Sequence, residues 1–360
     1  MADKVLMKGN EAIAEAAIMA GCRHFFGYPI TPQTEISAYM AKRMPKIGGT
    51  FLQAESELAA INMVYGAAAA GARTMTSSSS PGIALKSEGL SFLAACDLPS
   101  VIVNIQRGGP GLGGIRPSQS DYFHATRSTG HGDFHMIVLA PNTVQEMFDL
   151  TLEAFDLADK YRMPAMILGD GMLGQVMEPV DISRGNNIKT YVKDWALTGT
   201  KGLRKRNVVN SLYLSAEELE LLNFQRFDKY KEVEKIARTE DYLLEDAEVV
   251  VVAYGICARI AKNAIDTARK NGIKAGLIRP VTLWPYPKHQ LKAAAEKAKA
   301  FVVVEMSMGQ MIEDVELSIR CSRPVLLCNR TGGMVPTREA VLESIEKAAL
   351  LKGEQNADSI

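Results

Sequence analysis

At 360 residues the chain is long enough for two domains, and 47% hydrophobic with 23% charged residues is the make-up of a globular protein with a sizeable core. Lys plus Arg and Asp plus Glu both total 41, so no overall field draws in nucleic acid or an acidic membrane surface. No run approaches the ~20 apolar residues of a membrane span, the five cysteines form no C-x-x-C pair, and the opening MADKVLMKGNEAIAEAA, with Asp3 and Glu11, reads as no signal peptide. The expectation is a cytoplasmic protein with reduced thiols and no iron–sulfur or zinc site of its own.

The first ~180 residues alternate β-rich runs with amphipathic helical stretches, as in a parallel sheet with helices on its faces. Asn10 is placed to cap a helix carrying Ile13, Ala16, Ala17 and Ala20 on one face, with Gly21 closing it. Strands are predicted at His24–Tyr28, Thr50–Gln53, Arg73–Thr76, Ser100–Gln106, Met136–Ala140 and Ala165–Gly169. From about Met177 to Asp246 the alternation stops. The stretch opening at Ser215 has a capping box with Glu218 and reads as one long charged helix within a linker. A second α/β unit starts at AEVVVVAYG, near-continuously apolar as buried parallel strands are. Further strands fit Ala275–Ile278, Phe301–Glu305 and Pro324–Cys328, and RPVTLWPYP reads as a rigid connection. The expected division is 1–180, a linker over 181–246, 247–350 and a tail over 351–360.

Two motifs mislead. RGGPGLGG contains Gly109-x-Gly111-x-x-Gly114, the spacing of a dinucleotide fingerprint. It follows the fourth predicted strand, Pro117 disfavours an immediate helix, and no acid ends the next strand to hold a ribose. A loop whose bare backbone approaches something closely is the better reading. Gly169-Asp170-Gly171 is shaped like a Mg²⁺-binding turn, but Asn186-Asn187 follows too soon to complete that motif, so it reads as a strand-to-loop turn.

Four strand ends carry polar residues that structure or function could each explain. Thr31-Pro32, after Tyr28-Pro29, suits Ncap and N1 of a helix. Glu55 and Glu57 flank Ser56 where a helix dipole favours carboxylates, although a buried carboxylate there could also handle protons. Ser77 to Ser80 form a polar turn or offer donors to a ligand. Arg107, beside bare glycine backbone, is either a surface ion-pair partner or a clamp for a small carboxylate. Thr31, Glu57, Ser80 and Arg107 fall at the carboxyl ends of four strands of one predicted sheet, where open α/β sheets bind ligands. The spacing of His131 with His124 and His135 fits no metal motif.

With YPITP, ESELAAI and QRGGPG in this order, and KGNEAIAEAAIMAGC, GHGD, RPVTLWPYP and EMSMGQM around them, nearly the whole chain resembles the alpha subunits of 2-oxoacid:ferredoxin oxidoreductases, above all the branched-chain 3-methyl-2-oxobutanoate (2-ketoisovalerate) type. The resemblance implies an α/β fold: a parallel-sheet thiamine-diphosphate pyrimidine-binding domain, then a smaller transketolase C-terminal-like domain. It implies that Glu57 bonds N1′ of the cofactor's aminopyrimidine, that Pro29 and Ser80 line the cofactor, and that Thr31 and Arg107 face the substrate, Arg107 pairing its carboxylate. Glu55, two residues before the matched position, is the lesser candidate. A beta subunit would carry the diphosphate and Mg²⁺, gamma and ferredoxin-like delta subunits would be further partners, and the iron–sulfur clusters would lie on partner subunits. Coenzyme A would take the acyl group and ferredoxin the electrons. The competing readings are a 2-oxoglutarate-type alpha subunit, a pyrimidine-domain subunit of an NAD-linked dehydrogenase or transketolase-like enzyme, and a non-catalytic scaffold.

Overall fold

The structure, a computed structural model, describes residues 4–127, 129–186 and 188–351. Most of the expected tail, 352–360, lies outside the described residues.

The strands, in chain order, are β1 (Lys4–Lys8), β2 (His24–Gly27), β3 (Thr50–Gln53), β4 (Thr74–Ser78), β5 (Ser100–Gln106), β6 (Ile137–Leu139), β7 (Pro164–Asp170), β8 (Met177–Asp181), β9 (Thr239–Tyr242), β10 (Val249–Ala253), β11 (Ala275–Pro280), β12 (Thr282–Trp284), β13 (Ala300–Glu305) and β14 (Val325–Asn329). A seven-stranded sheet runs β12-β6-β7-β5-β4-β2-β3, and a five-stranded sheet runs β14-β13-β10-β11-β9. All pairings in the first are parallel except β12 with β6. In the second only β9 runs antiparallel. Burial follows the strand period of two. Val249, Val251 and Ala253 of β10 face one hydrophobic cluster, and Val250 and Val252 the other. Both faces are covered, which explains why these strands are apolar throughout.

Every strand predicted from the sequence is present within a few residues of its expected ends, and four others are added. β1 pairs antiparallel with β8, from Lys4 opposite Asp181 to Lys8 opposite Met177, so part of the expected linker belongs to the first unit. β9 likewise belongs to the second sheet. The expected long helix is shorter: it spans Ala216–Val233, with the Ser215 hydroxyl accepting the Glu218 N–H at 3.2 Å, and a 3₁₀ turn at Glu234–Ile236 ends it. RPVTLWPYP does more than connect. It leaves β11 in the second sheet and adds β12 to the edge of the first, where Trp284 stacks on His135 at 4.6 Å.

The two units are joined by polar contacts as well. Arg279 of β11, 1% exposed, pairs with Glu146 at 2.7 Å and Glu240 at 2.6 Å. Gln119 donates to the Tyr254 carbonyl at 3.0 Å and accepts the Met306 N–H at 3.0 Å. These contacts clamp the loop after β5 between the sheets. Among the described residues no helix is long and apolar enough to cross a membrane.

Candidate active site

Because β5, β4, β2 and β3 are consecutive in the sheet, the turns carrying Arg107, Ser80, Thr31 and Glu57 lie side by side at one edge. The chain goes from β2 outward to β3, and from β4 the other way to β5, so β2 and β4 flank a topological switch point. Gln33 spans it, accepting a 2.5 Å hydrogen bond from the Ser77 hydroxyl.

The β2 turn differs from the expected cap. The following helix spans Thr34–Arg43 and starts after Gln33, with no side-chain cap bond, so Thr31 lies in the turn itself and is exposed. Asn10 does not cap its own helix, which spans Gly9–Met19. Its amide instead donates to the Pro32 carbonyl at 2.8 Å and to Glu35 at 2.8 Å, pinning the turn. Thr31 contributes its carbonyl, which accepts Nη1 of Arg107 at 2.9 Å.

Arg107 is 7% exposed, and its guanidinium meets carbonyls only: Thr31 by Nη1, and Leu112 by Nη2 at 2.9 Å. Its Nε is buried with no partner, and no described carboxylate pairs with it. A buried cation without a counter-charge is costly, and a planar two-pronged donor is shaped for a carboxylate.

Ser80 sits at φ +24°, outside the regions L-residues favour, a conformation that costs on the order of 1–3 kcal/mol. Its N–H donates to Asn104 Oδ1 at 3.1 Å and its hydroxyl to Asp121 at 2.6 Å, while the same oxygen accepts the Arg107 N–H at 3.0 Å. Asp121 also accepts from Asn104 at 2.9 Å. Ser80 thus joins the ends of β4 and β5.

Glu57 opens the helix Glu57–Ala69, whose cap is Ser56, its hydroxyl accepting the Ala59 N–H at 3.1 Å. Glu57 is 6% exposed, and among the described residues no group donates a hydrogen bond to its carboxylate. Gly82 lies against it: a Cβ there would fall 2.6 Å from Glu57 Oε1 and 2.1 Å from Ser78 Oγ. The Ser78 and Ser79 hydroxyls are buried without hydrogen-bond partners among the described residues. Close by is Lys86, fully buried, whose ammonium donates to Thr76 Oγ1 at 2.6 Å. Burial pulls the Lys86 pKa down to about 7, against the opposing pull of Glu57. A buried carboxylate, orphaned hydroxyls and a cradle only glycine permits fit the nitrogen-rich end of an aminopyrimidine cofactor.

Pro29 is exposed at the mouth of the site. Glu55 is also exposed and accepts only the Ser56 hydroxyl, at 3.1 Å. Asp170 spends Oδ1 on the N–H groups of Met172 (2.9 Å) and Leu173 (3.0 Å), making GDG a helix cap. Asn187 lies outside the described residues. The glycine loop folds back on itself, with Gly114 N–H donating to Gly108 O at 2.8 Å, and a Cβ on Gly113 would fall 1.8 Å from that oxygen. Among the described residues no cluster of His, Cys, Asp and Glu is arranged to hold a metal.

Lys86, Asp121, Asn104 and Gln33 were not anticipated. Lys86 had a signal: Ile83, Leu90 and Leu93 are buried at helical spacing, and a lysine at 86 falls on that stripe. Asp121 had none, because its role depends on where a loop returns.

Comparison with known proteins identifies the family. Residues 15–219 match the family described as pyruvate flavodoxin/ferredoxin oxidoreductase, thiamine diphosphate-binding, and residues 247–341 match pyruvate:ferredoxin oxidoreductase core domain II. The chain is 50% identical to ketoisovalerate oxidoreductase subunit VorB of Methanothermobacter marburgensis, over 98% of this chain and 99% of that one. It is 36% identical to 2-oxoglutarate synthase subunit KorA of Methanothermobacter thermautotrophicus, over 96% and 99%. Among solved structures, 2-oxoglutarate:ferredoxin oxidoreductase of Magnetococcus marinus, with 2-oxoglutarate, coenzyme A and succinyl-CoA bound, superposes with TM-score 0.86 at 29% identity, covering 96% of this chain and 65% of that longer one. A split-gene transketolase, described as an inactive beta4 tetramer, shares the fold alone, with TM-score 0.62 at 15% identity. The chain belongs to the pyruvate flavodoxin/ferredoxin oxidoreductase family.

Proposed function

We propose that this chain is the subunit of a 2-oxoacid:ferredoxin oxidoreductase that holds the pyrimidine end of thiamine diphosphate and the substrate's carboxylate. The substrate is 3-methyl-2-oxobutanoate. With coenzyme A and two oxidised ferredoxins it gives isobutyryl-CoA, CO₂, two reduced ferredoxins and a proton. The branched-chain choice follows the greater identity to the ketoisovalerate subunit (50%) than to the 2-oxoglutarate subunit (36%).

Thiamine diphosphate, when bound, supplies the electron sink that lets the carboxylate leave as CO₂. Glu57 holds a proton at N1′ of the pyrimidine, where its carboxyl has no competing partner. Pro29 and Ser80 line the cofactor, and Thr31 and Arg107 face the substrate. A beta subunit bearing the diphosphate site with Mg²⁺, together with gamma and ferredoxin-like delta subunits, completes the enzyme in the cytoplasm, with iron–sulfur clusters on the partner subunits. The pyrimidine-binding domain is 1–180, extended to Asp181 by β8, and the second domain is 247–350, extended by β9 at Thr239–Tyr242.

The observation that carries this reading is Arg107, a buried guanidinium bonded only to carbonyls and lacking any described counter-charge. In the assembled enzyme, Arg107→Ala should raise KM for the 2-oxoacid about tenfold or more and leave KM for coenzyme A unchanged. Equal rises for both would contradict a carboxylate clamp. A panel of 2-oxoacids with a viologen acceptor tests the substrate, and faster turnover of 2-oxoglutarate would replace the branched-chain assignment.

A further inference from the structure

Lys86 is 0% exposed, on the stripe shared with Ile83, Leu90 and Leu93, where an apolar side chain of the same length would cost nothing electrostatically. Its ammonium is tied to neutral oxygens of β4: Thr76 Oγ1 at 2.6 Å and the Ser77 carbonyl at 3.4 Å. No described carboxylate contacts it. Among the described residues the one charge acting on it is Glu57, a buried carboxylate without a hydrogen-bond donor of its own. Gly82, one helical turn before Lys86, lies directly against Glu57 Oε1. Lys86 and Glu57 are therefore both buried around Gly82 at the end of β4, where a charge interaction is stronger than in solvent even without contact.

We infer that Lys86 is a positioning residue for Glu57: its ammonium, anchored to β4, is the counter-charge to the carboxyl that meets the cofactor's pyrimidine. This rests on the assignment of Glu57 made above. A cation beside a buried carboxyl favours the charged, proton-accepting form that bonding at N1′ requires. Glu57 in turn opposes the pull of burial on the Lys86 ammonium.

The test uses four forms of the assembled enzyme: the parent, Lys86→Met, Glu57→Gln and the double variant. Thiamine diphosphate affinity and the pH profile of kcat are measured for each. Lys86→Met should weaken cofactor binding about tenfold and move the acid limb of the profile up by about one pH unit. Adding it to Glu57→Gln should change neither quantity further. The same fold-change in both backgrounds would overturn the coupling and leave Lys86 a structural lysine. Glu57→Gln alone matching the parent in turnover and affinity would overturn the assignment of Glu57 instead, a distinguishable result. Lys86→Gln, which can keep the Thr76 hydrogen bond without the charge, is the second variant. Failure of both Lys86 variants to assemble would also overturn the proposal.

Discussion

Glu57 and Glu305 are both buried glutamates at the carboxyl edge of a parallel sheet, each beside the start of a helix, yet their surroundings are opposites. Glu305, at the end of β13, accepts the Ser307 hydroxyl at 2.7 Å and the N–H groups of Gln310 (3.1 Å), Met311 (3.1 Å) and Ile312 (3.2 Å), so it caps the helix Met311–Ile319. Glu57, after β3, has no hydrogen-bond donor among the described residues; Gly82 lies against it and the buried Lys86 acts on it electrostatically. A carboxylate whose lone pairs are filled by its own backbone is part of the fold. One left unfilled while buried is available to something that is not part of the chain. The EMSMGQM motif that helped carry the family resemblance therefore owes its glutamate to helix capping, whereas the second glutamate of ESELAAI caps nothing by its side chain and is the one proposed above for the cofactor.

This contrast can be broken or sharpened by substitution. The largest effect concerns the lysine. Its folded-state pKa, about 7, lies below that of an unfolded lysine, so between these values the unfolded chain binds more protons and stability rises with pH. Lys86→Met removes that slope. Its stability relative to the parent should be highest at or below pH 7 and fall by roughly 4 kcal/mol by pH 10, measured by urea unfolding of the chain. A pH-independent difference would mean that Lys86 is not a strained buried charge. Next, Glu305→Ala strands several backbone N–H groups and should cost roughly 3 kcal/mol, while Glu57→Gln, which loses no hydrogen bond but leaves Lys86 without its counter-charge, should cost less, roughly 1 kcal/mol. Equal losses in unfolding midpoints would erase the distinction between the two glutamates. The smallest effect is at Ser80: Ser80→Ala removes the link to Asp121 and leaves the Arg107 N–H unpaired, for roughly 1–2 kcal/mol and a modest rise in KM for the 2-oxoacid.

Much of the architecture was legible because buried parallel strands are written as apolar runs. AEVVVVAYG could be little else, and the strand–turn–helix alternation placed Thr31, Glu57, Ser80 and Arg107 at adjacent strand ends. What escaped was set by contacts distant in sequence. Thr31-Pro32 satisfies every local rule for a helix start, but Asn10 holds the Pro32 carbonyl and the helix begins at Thr34. Thr282–Trp284 looked like a proline-bound connection because three residues carry too little pattern to declare a strand, and β6 supplies its partner. Gln33, Asn104 and Asp121 are ordinary polar residues until the sheet brings their turns together. Lys86 alone was readable, as a charge on an apolar stripe.

The most direct test of the account is turnover of the assembled enzyme carrying Glu57→Gln, with saturating 3-methyl-2-oxobutanoate, coenzyme A and a viologen acceptor. The account predicts a complex that still forms, with kcat down by about a hundredfold or more. An intact complex turning over at the parent's rate would contradict it.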